Sequence, residues 1–253
     1  MPSVRELAMA LTITHAGLSD RGRTHPGNED RWLADPEEGL YIVADGMAHE
    51  EPAELIISHL PALIKRHLSD VSDLRHPGAV QGVRASMTDL NARVRGAAQT
   101  DPDGAAWEGL GAVMVLALIR AGQALLAHLG DSRIYLLRDG ELEALTRDHS
   151  FIQELVERGT ITAAEAAKRR FNSGPTRFVG MAGPVMPDVR TIQLRKGDRL
   201  LLCSDGLTGM LEEEQIGTIL TNHPAPSEAC AKLIEAANAA GGDDNITVLV
   251  IDH

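Results

Sequence analysis

Six acidic residues lie beside or upstream of apolar runs, and four of them stand at the border of a predicted strand. They are Glu29 and Asp30 upstream of RWLA, Asp45 after YIVA, Asp131 after AHLG, Asp205 after LLCS, and Asp244 shortly before ITVLVI. If these strand ends meet at one rim, the carboxylates repel one another, and a bound cation is the economical way to keep them ionised. An all-oxygen ligand set without a His or Cys cluster favours Mg²⁺ or Mn²⁺ over Zn²⁺.

Turn formation is the competing interpretation of these acids, because Asp-Gly pairs are common in tight turns. It accounts fully for Asp139-Gly140, which lies between two β-like runs and predicts a hairpin. For Asp45 or Asp205 alone, the two interpretations are evenly balanced. Four separate segments with the same acid placement exceed what turns require, so the residues favour a di-metal hydrolase. Gly46, beside Asp45, would leave a backbone carbonyl free for coordination.

The elements that must position these acids are short strands and amphipathic helices. β-like runs are predicted at 40–44, 112–119, 124–129, 133–138, 141–145, 198–203 and 246–251, and the first alternating stretch begins at Leu11. Helical periodicity covers 53–68, 78–98, 151–158, 162–170, 212–222 and 227–240. Ser227 is the expected N-cap of the last helix, and Gly241-Gly242 its end. This mixed order predicts antiparallel sheets flanked by helices.

Composition narrows the class of protein. The chain has 253 residues, with 24 Lys and Arg against 36 Asp and Glu, a net charge of −12, and 3% aromatic residues. Such a chain repels nucleic acid and anionic membranes and offers few stacking platforms, so neither is an expected partner. Two cysteines and no long apolar stretch favour a cytoplasmic protein. We expect one domain over 11–253, preceded by an appendage at 1–10.

Several motifs together resemble one known family. GDSRIYLLRDG (130–140), LTRDHSFIQELVERGTIT (145–162), LLLCSDGL (200–207) and GGDDNIT (241–247) are similar to motifs of the metal-dependent protein phosphatases of the PPM, or phosphatase 2C-like, family. SDRGRTHPGNED (19–30) and VADGM (43–47) resemble its opening motifs. The bacterial branch is the most similar, and the match spans residues 11–253 in order.

The resemblance implies an α+β fold with four layers, α/β/β/α. Two central antiparallel sheets would be flanked by helix pairs, with a small helical flap at about 148–180. Two Mn²⁺ or Mg²⁺ ions would lie at one end of the sandwich, between the sheets.

The resemblance also implies a ligand set for the metal ions. Asp45 would bridge the two ions, Asp205 and Asp244 would complete the first site, and the Gly46 carbonyl would enter the second. Glu29 and Asp30 would act mostly through metal-bound waters, and Asp131 would belong to a weaker third site. Gly209 stands where relatives often carry a further acid of that third site, whose occupancy therefore stays open.

The implied chemistry is hydrolysis of phosphoserine and phosphothreonine on proteins. A metal-bridging hydroxide would attack in line without a phosphoenzyme. The catalytic residues would be Asp45, Asp205 and His25, the last replacing the arginine with which the family usually holds the substrate phosphate. Phosphorylated Ser/Thr kinases or their substrates would be the partners of a monomer.

Two other functions stay open at this stage. A phosphoprotein-binding regulatory module with low activity is suggested by His25 and by the altered turn at 48–53. A metallohydrolase of small phosphoesters is the other, since acids alone do not define a substrate.

Overall fold

Two antiparallel five-stranded sheets form the centre of the molecule. The computed structural model describes residues 13–47, 49–99, 111–162, 165–166 and 174–253. One sheet has the order β1-β10-β9-β6-β7 and the other β2-β3-β4-β5-β8. The strands are β1 Thr14–Asp20, β2 Arg31–Asp35, β3 Leu40–Gly46, β4 Ala112–Arg120, β5 Gln123–Leu129, β6 Arg133–Arg138, β7 Glu141–Ala144, β8 Asp188–Gln193, β9 Arg199–Cys203 and β10 Ile246–Asp252.

Helices cover the outer face of each sheet. They are α1 Glu51–Leu68, α2 Pro77–Gln99, α3 Phe151–Glu157, α4 Asp205–Thr208, α5 Glu213–Asn222 and α6 Pro226–Ala240. Helices α1 and α2 pack on the β3 sheet, whereas α5 and α6 pack on the β9 sheet. A third apolar cluster fills the space between the sheets. The predicted four-layer α+β sandwich is confirmed.

Strand β3 shows why the central strands are uniformly apolar. Leu40, Ile42 and Ala44 face the α1/α2 layer, whereas Tyr41 and Val43 face the second sheet. Because side chains alternate across a strand, a strand covered on both faces must be apolar at every position. This packing leaves the strand ends as the places where polar groups can gather.

Two hairpins join neighbouring strands as predicted. Ala121 and Gly122 have φ of 48° and 72°, and Asp139 and Gly140 have φ of 54° and 85°. Positive φ at both central residues matches the twist of the flanking strands. Between these hairpins the chain leaves one sheet for the other, because β5 pairs with β4 and β8 whereas β6 pairs with β7 and β9. The connection is Gly130–Ser132, which carries Asp131.

The structure differs from the sequence prediction at several elements. The sequence did not predict strands β2 and β8 or the four-residue helix α4. The expected N-cap Ser227 is wrong: α6 begins at Pro226, and Ala225 is its N-cap. Proline suits a first helical position, because its fixed φ is helical and its missing N–H has no acceptor there. Gly241, with φ of 149°, ends the helix as expected.

Some predictions fall outside the described residues. The 1–10 appendage lies wholly outside them. The expected helix at 162–170 and the flap at 148–180 lie partly outside, since 163–164 and 167–173 are not described. Along the part of the chain that is described, no helix is both long and apolar enough to span a bilayer.

Candidate metal centre

Strand ends from both sheets place the acids at one end of the sandwich. Asp45 is near the end of β3 in one sheet, whereas Asp205 opens α4 directly after β9 and Asp244 lies two residues before β10 in the other. Strands β9 and β10 are antiparallel, with Cys203 opposite Val248, so the end of one strand meets the start of its neighbour. Asp131 lies on the connection between the sheets.

The acids at this end of the sandwich lie near enough to one another to raise each other's pKa values. Burial raises the pKa of Asp45 well above its usual range, and the carboxylates of Asp30, Asp205, Asp131 and Asp244 raise it further. Burial likewise raises the pKa of Asp30 to about 7, despite hydrogen bonds that lower it. The pKa of Asp131 also rises to about 7, through burial and then Asp205. A bound cation would relieve this accumulated charge.

Asp30 gives the clearest test of whether the site suits a metal. Its Oδ2 accepts a hydrogen bond of 2.7 Å from Ser204 Oγ, and Ser204 Oγ in turn accepts from the Thr247 N–H at 2.9 Å. Its Oδ1 is buried and has no hydrogen-bond partner among the described residues. Leaving a buried carboxylate oxygen unpaired is costly. The oxygen donors therefore fit a hard divalent cation.

Asn245 organises the loop that carries Glu29 and Asp30. Its Oδ1 accepts from the Glu29 N–H at 2.8 Å, and its Nδ2 donates to the carbonyls of Arg21 and Gly27, both at 2.9 Å. One buried amide therefore fixes a loop that lies more than 200 residues away in sequence. The sequence analysis missed the roles of Asn245, Ser204 and Thr247, although all three belong to the SDGL and DNIT motifs.

Two glycines allow the loops of the site to approach closely. A Cβ on Gly46 would lie 2.3 Å from the His49 carbonyl oxygen and 2.9 Å from that of Glu29. A Cβ on Gly206 would lie 2.0 Å from the Asn245 carbonyl oxygen. Both contacts are with backbone, which cannot rotate away as a side chain can. Glycine is therefore required where α4 meets the segment before β10 and where β3 meets the Glu29 loop.

His25 lies at the rim of the acid cluster. Its Nδ1 is 3.2 Å from Glu29 Oε2, and its Nε2 is 3.4 Å from Asp244 Oδ1. The side chain is 37% exposed, so the imidazole is partly accessible to solvent. The structure thus brings His25 together with two of the predicted metal ligands. Its expected contact with substrate phosphate stays a prediction.

His149 supports the turn that carries Asp131. The backbone N–H of His149 donates to the Gly130 carbonyl at 2.9 Å, and the ring Nδ1 accepts from the Gly130 N–H at 3.1 Å. Burial lowers the pKa of His149 to about 4, and neighbouring His128 and Arg177 lower it further, so the ring is neutral at pH 7. Since Nδ1 accepts, the ring proton lies on Nε2, 3.4 Å from Asp188 Oδ2.

A second group of possible ligands consists of His128, His149 and Asp188, whose ligand atoms all lie within 4.8 Å of one another. The geometry opposes a metal there. A metal on His149 Nε2 would move the ring proton to Nδ1, opposite the Gly130 N–H, and Arg177 Nη1 already lies 3.2 Å from Nε2. The group is better described as a hydrogen-bonded support of the Asp131 turn.

The fold and the acids together define a class of protein: a two-sheet sandwich with an oxygen-donor site for divalent cations at one end. The family model "Protein phosphatase 2C" matches residues 14–246. The chain therefore belongs to the protein phosphatase 2C family.

Named relatives agree with this placement. The chain is 36% identical over 250 residues to the serine/threonine protein phosphatase PstP of Mycobacterium tuberculosis, covering 96% of this chain and 46% of PstP. It is 32% identical to the serine/threonine phosphatase stp of Listeria welshimeri, covering 93% of this chain and 94% of that protein. This chain thus spans about half the length of PstP but nearly all of the Listeria protein.

A solved relative has the same fold. The crystal structure of the PstP catalytic domain in complex with two manganese ions superposes with a TM-score of 0.77 at 36% identity, covering 95% of this chain and 97% of that one.

The predicted site residues are found together in the structure. Asp30, Asp45, Asp131, Asp205 and Asp244 share one electrostatic cluster. Glu29 and Gly46 border it, since the Glu29 carbonyl approaches Gly46 and the Glu29 side chain contacts His25. Their roles as metal ligands stay predictions.

Proposed function

We propose that this protein hydrolyses phosphoserine and phosphothreonine esters on proteins, using two Mn²⁺ or Mg²⁺ ions. The observation that carries the proposal is the cluster of carboxylates contributed by both sheets at one end of the sandwich, of which Asp30 and Asp131 are buried. Relatives named serine/threonine phosphatases, and the two manganese ions of the PstP catalytic domain, support the same activity.

Different acids of the cluster would hold different ions. Asp45, which is central to the cluster, would hold the ions together with Asp205, Asp244 and the Gly46 carbonyl. Ser204 keeps Asp30 oriented, and Asn245 keeps Glu29 in place. When bound, the ions supply the acidity that activates the attacking water and the positive charge that offsets the phosphate. Asp131 is suited to a third, weaker site.

Substrate binding at this centre must overcome the charge of the protein. A phosphate dianion approaching a chain of net charge −12 needs local positive charge. The ring nitrogens of His25 face Glu29 and Asp244 at the rim, and His25 would donate a hydrogen bond to a phosphate oxygen by turning away from one of these carboxylates. We infer that it orients the ester rather than providing the main attraction.

The setting of the activity follows from the substrate class. We infer that the substrates are phosphorylated proteins, including Ser/Thr kinases or their targets. We further infer that the protein acts as a monomer in the cytoplasm.

The first experiment measures hydrolysis of p-nitrophenyl phosphate and of a phosphothreonine peptide with Mn²⁺ and with EDTA. The variant is Asp205→Asn, which keeps the size of the side chain and removes its charge. Asp139→Asn is the matched control, because Asp139 lies in the β6–β7 turn and asparagine tolerates its positive φ. We expect EDTA and Asp205→Asn to abolish turnover of both substrates, and Asp139→Asn to leave it unchanged.

Two results would contradict the proposal. Turnover that persists in EDTA would exclude metal-dependent hydrolysis. Calorimetric binding of Mn²⁺ without turnover of either substrate would favour the phosphoprotein-binding module, and turnover of p-nitrophenyl phosphate alone would favour a small-phosphoester hydrolase.

A further inference from the structure

A groove of about 460 Å³ lies beside the acid cluster, along the outer strand β8. Strand β5 forms its floor, and segment 144–147, which includes the end of β7, forms its opposite wall. Helix α2 contributes one side chain from behind the sheet. The side chains that decide what the groove can bind are those of Arg84, Leu126, His128, Arg147, Asp188 and Arg190.

Few carboxylates offset the positive charge of the arginines in the groove. Arg84 and Arg190 are exposed, and neither has a carboxylate partner among the residues the structure describes; Arg190 donates only to the Leu145 carbonyl, at 3.3 Å. Arg147 meets Glu157 at 3.3 Å, with both side chains largely in solvent. Exposed pairs of this kind hold a cation weakly.

Three arginines outnumber the one carboxylate among the lining residues, Asp188, which also contacts residues outside the groove. Asp188 Oδ1 accepts from Arg177 Nη1 at 3.1 Å, and Asp188 Oδ2 faces His149 Nε2 at 3.4 Å. The groove is therefore a positively charged surface on a protein whose net charge is −12. Such a surface attracts anions that the rest of the molecule repels.

The groove is within reach of a substrate bound at the acid cluster. His128 lies on β5 three residues before Asp131, which corresponds to roughly 10 Å along the strand. Leu126 and Arg190, directly opposite each other in the β5–β8 register, lie farther from the cluster. An extended peptide of about three to five residues spans the same distance. Strand β8 is the last in its sheet, and its outer edge pairs with no other strand in the part of the chain that the structure describes.

We propose that this groove binds an acidic segment of the phosphoprotein substrate, with Asp or Glu three to five residues from the phosphorylated residue. The proposal rests on the proposed phosphatase function and adds a sequence preference to it. Arg84 and Arg190 pair with the substrate carboxylates, and Arg147 closes the groove from the opposite wall. Metal-centre chemistry then acts equally on all phosphoesters, while the groove discriminates among proteins.

The test compares two phosphothreonine peptides, one with acidic and one with neutral residues at these positions, and p-nitrophenyl phosphate as a substrate too small to reach the groove. The variants are Arg84→Glu and the double variant Arg84→Glu/Arg190→Glu. Arg93→Glu is the matched control, since Arg93 is exposed on the same helix and does not line the groove. We expect the double variant to raise KM for the acidic peptide about tenfold at unchanged kcat.

If the double variant hydrolyses the neutral peptide and p-nitrophenyl phosphate with unchanged kinetics, the result supports the proposed role of the groove. Equal loss with all three substrates, equal loss in Arg93→Glu, or no loss with the acidic peptide would overturn it. Binding of the fluorescent acidic peptide, measured by anisotropy, separates this proposal from the phosphatase function. If the wild-type protein binds the peptide through Arg84 and Arg190 but turns over nothing, the phosphatase function fails and the groove stands.

Discussion

His149 acts through one ring nitrogen. Its Nδ1 accepts the Gly130 N–H next to Asp131, while its Nε2 faces Asp188 and Arg177. Two amides can imitate these atoms separately, because the side-chain oxygen of Asn matches the accepting Nδ1, whereas the side-chain nitrogen of Gln matches the protonated Nε2. The pair of substitutions therefore distinguishes support of the Asp131 turn from simple filling of space.

We predict that His149→Asn retains metal-dependent hydrolysis and that His149→Gln loses about tenfold in kcat/KM, because only Asn can accept the Gly130 N–H. The measurement is steady-state hydrolysis of p-nitrophenyl phosphate across a Mn²⁺ titration, with melting temperatures recorded for both variants. Similar losses in the two variants would mean that Nδ1 has no special role.

Side chains near the acids show the limit of residue-scale prediction. Asp45, Asp205 and Asp244 are recognisable as a set, because separate apolar runs repeat the same placement of an acid. Asn245 and Ser204 are common polar residues in turns, and nothing local indicates that they hold Glu29 and Asp30. Their roles exist only once distant segments meet.

At the scale of elements, helix α4 packs against the segment before β10 with no space for a side chain at Gly206. A methyl group there would lie 2.0 Å from the Asn245 carbonyl oxygen, so helix or loop must move. Asp205 begins that helix, and Asp244 precedes Asn245. Any movement therefore changes the separation between two predicted ligands of the same ion.

We predict that Gly206→Ala lowers the free energy of unfolding by about 1–3 kcal/mol and weakens Mn²⁺ affinity. Gly96→Ala is the control, since a Cβ on Gly96 meets nothing within 4 Å and α2 is helical there; it should stabilise the protein by about 0.5–1 kcal/mol. Urea denaturation and Mn²⁺ calorimetry measure both effects. Wild-type Mn²⁺ affinity in Gly206→Ala would contradict the proposed link between packing and binding.

Most strands predicted from the sequence are apolar runs covered on both faces, whereas the exposed edge strand β7 was found through the Asp139-Gly140 turn before it. Strands β3, β4 and β5 are almost wholly buried and read as continuous apolar runs. Strands β2 and β8 lie at the edges of their sheet, and their mixed burial leaves no clear pattern. Helix α4, with four residues, is too short for any periodicity to show.

At the scale of the whole molecule, the acid cluster links pH to stability. Asp30 and Asp131 have pKa values of about 7 against an ordinary 3.8, and the pKa of Asp45 is raised as well. Between pH values of about 4 and 7, the metal-free folded protein therefore holds more protons on these groups than the unfolded chain does. Their contribution to the free energy of unfolding therefore falls as pH rises from about 4 to 7.

We predict that the rise in melting temperature produced by Mn²⁺ is larger at about pH 7.5 than at about pH 5.5, because protons compete with the metal for these carboxylates. His128 and His149, whose lowered pKa values act in the opposite direction, contribute equally with and without metal and cancel in the difference. The measurement is calorimetry in MnCl₂ and in EDTA at both pH values. An equal or larger shift at the lower pH would contradict the prediction.

The acids of the centre come from both sheets: Asp45 belongs to the β3 sheet, and Asp205 and Asp244 flank strands of the β9 sheet. Ions held between them would connect the sheets at one end through coordination bonds, while the other end is held by side-chain packing. A mechanical force that slides one sheet across the other would then separate the end remote from the acids first. Metal occupancy would thus determine which part of the sandwich yields under shear.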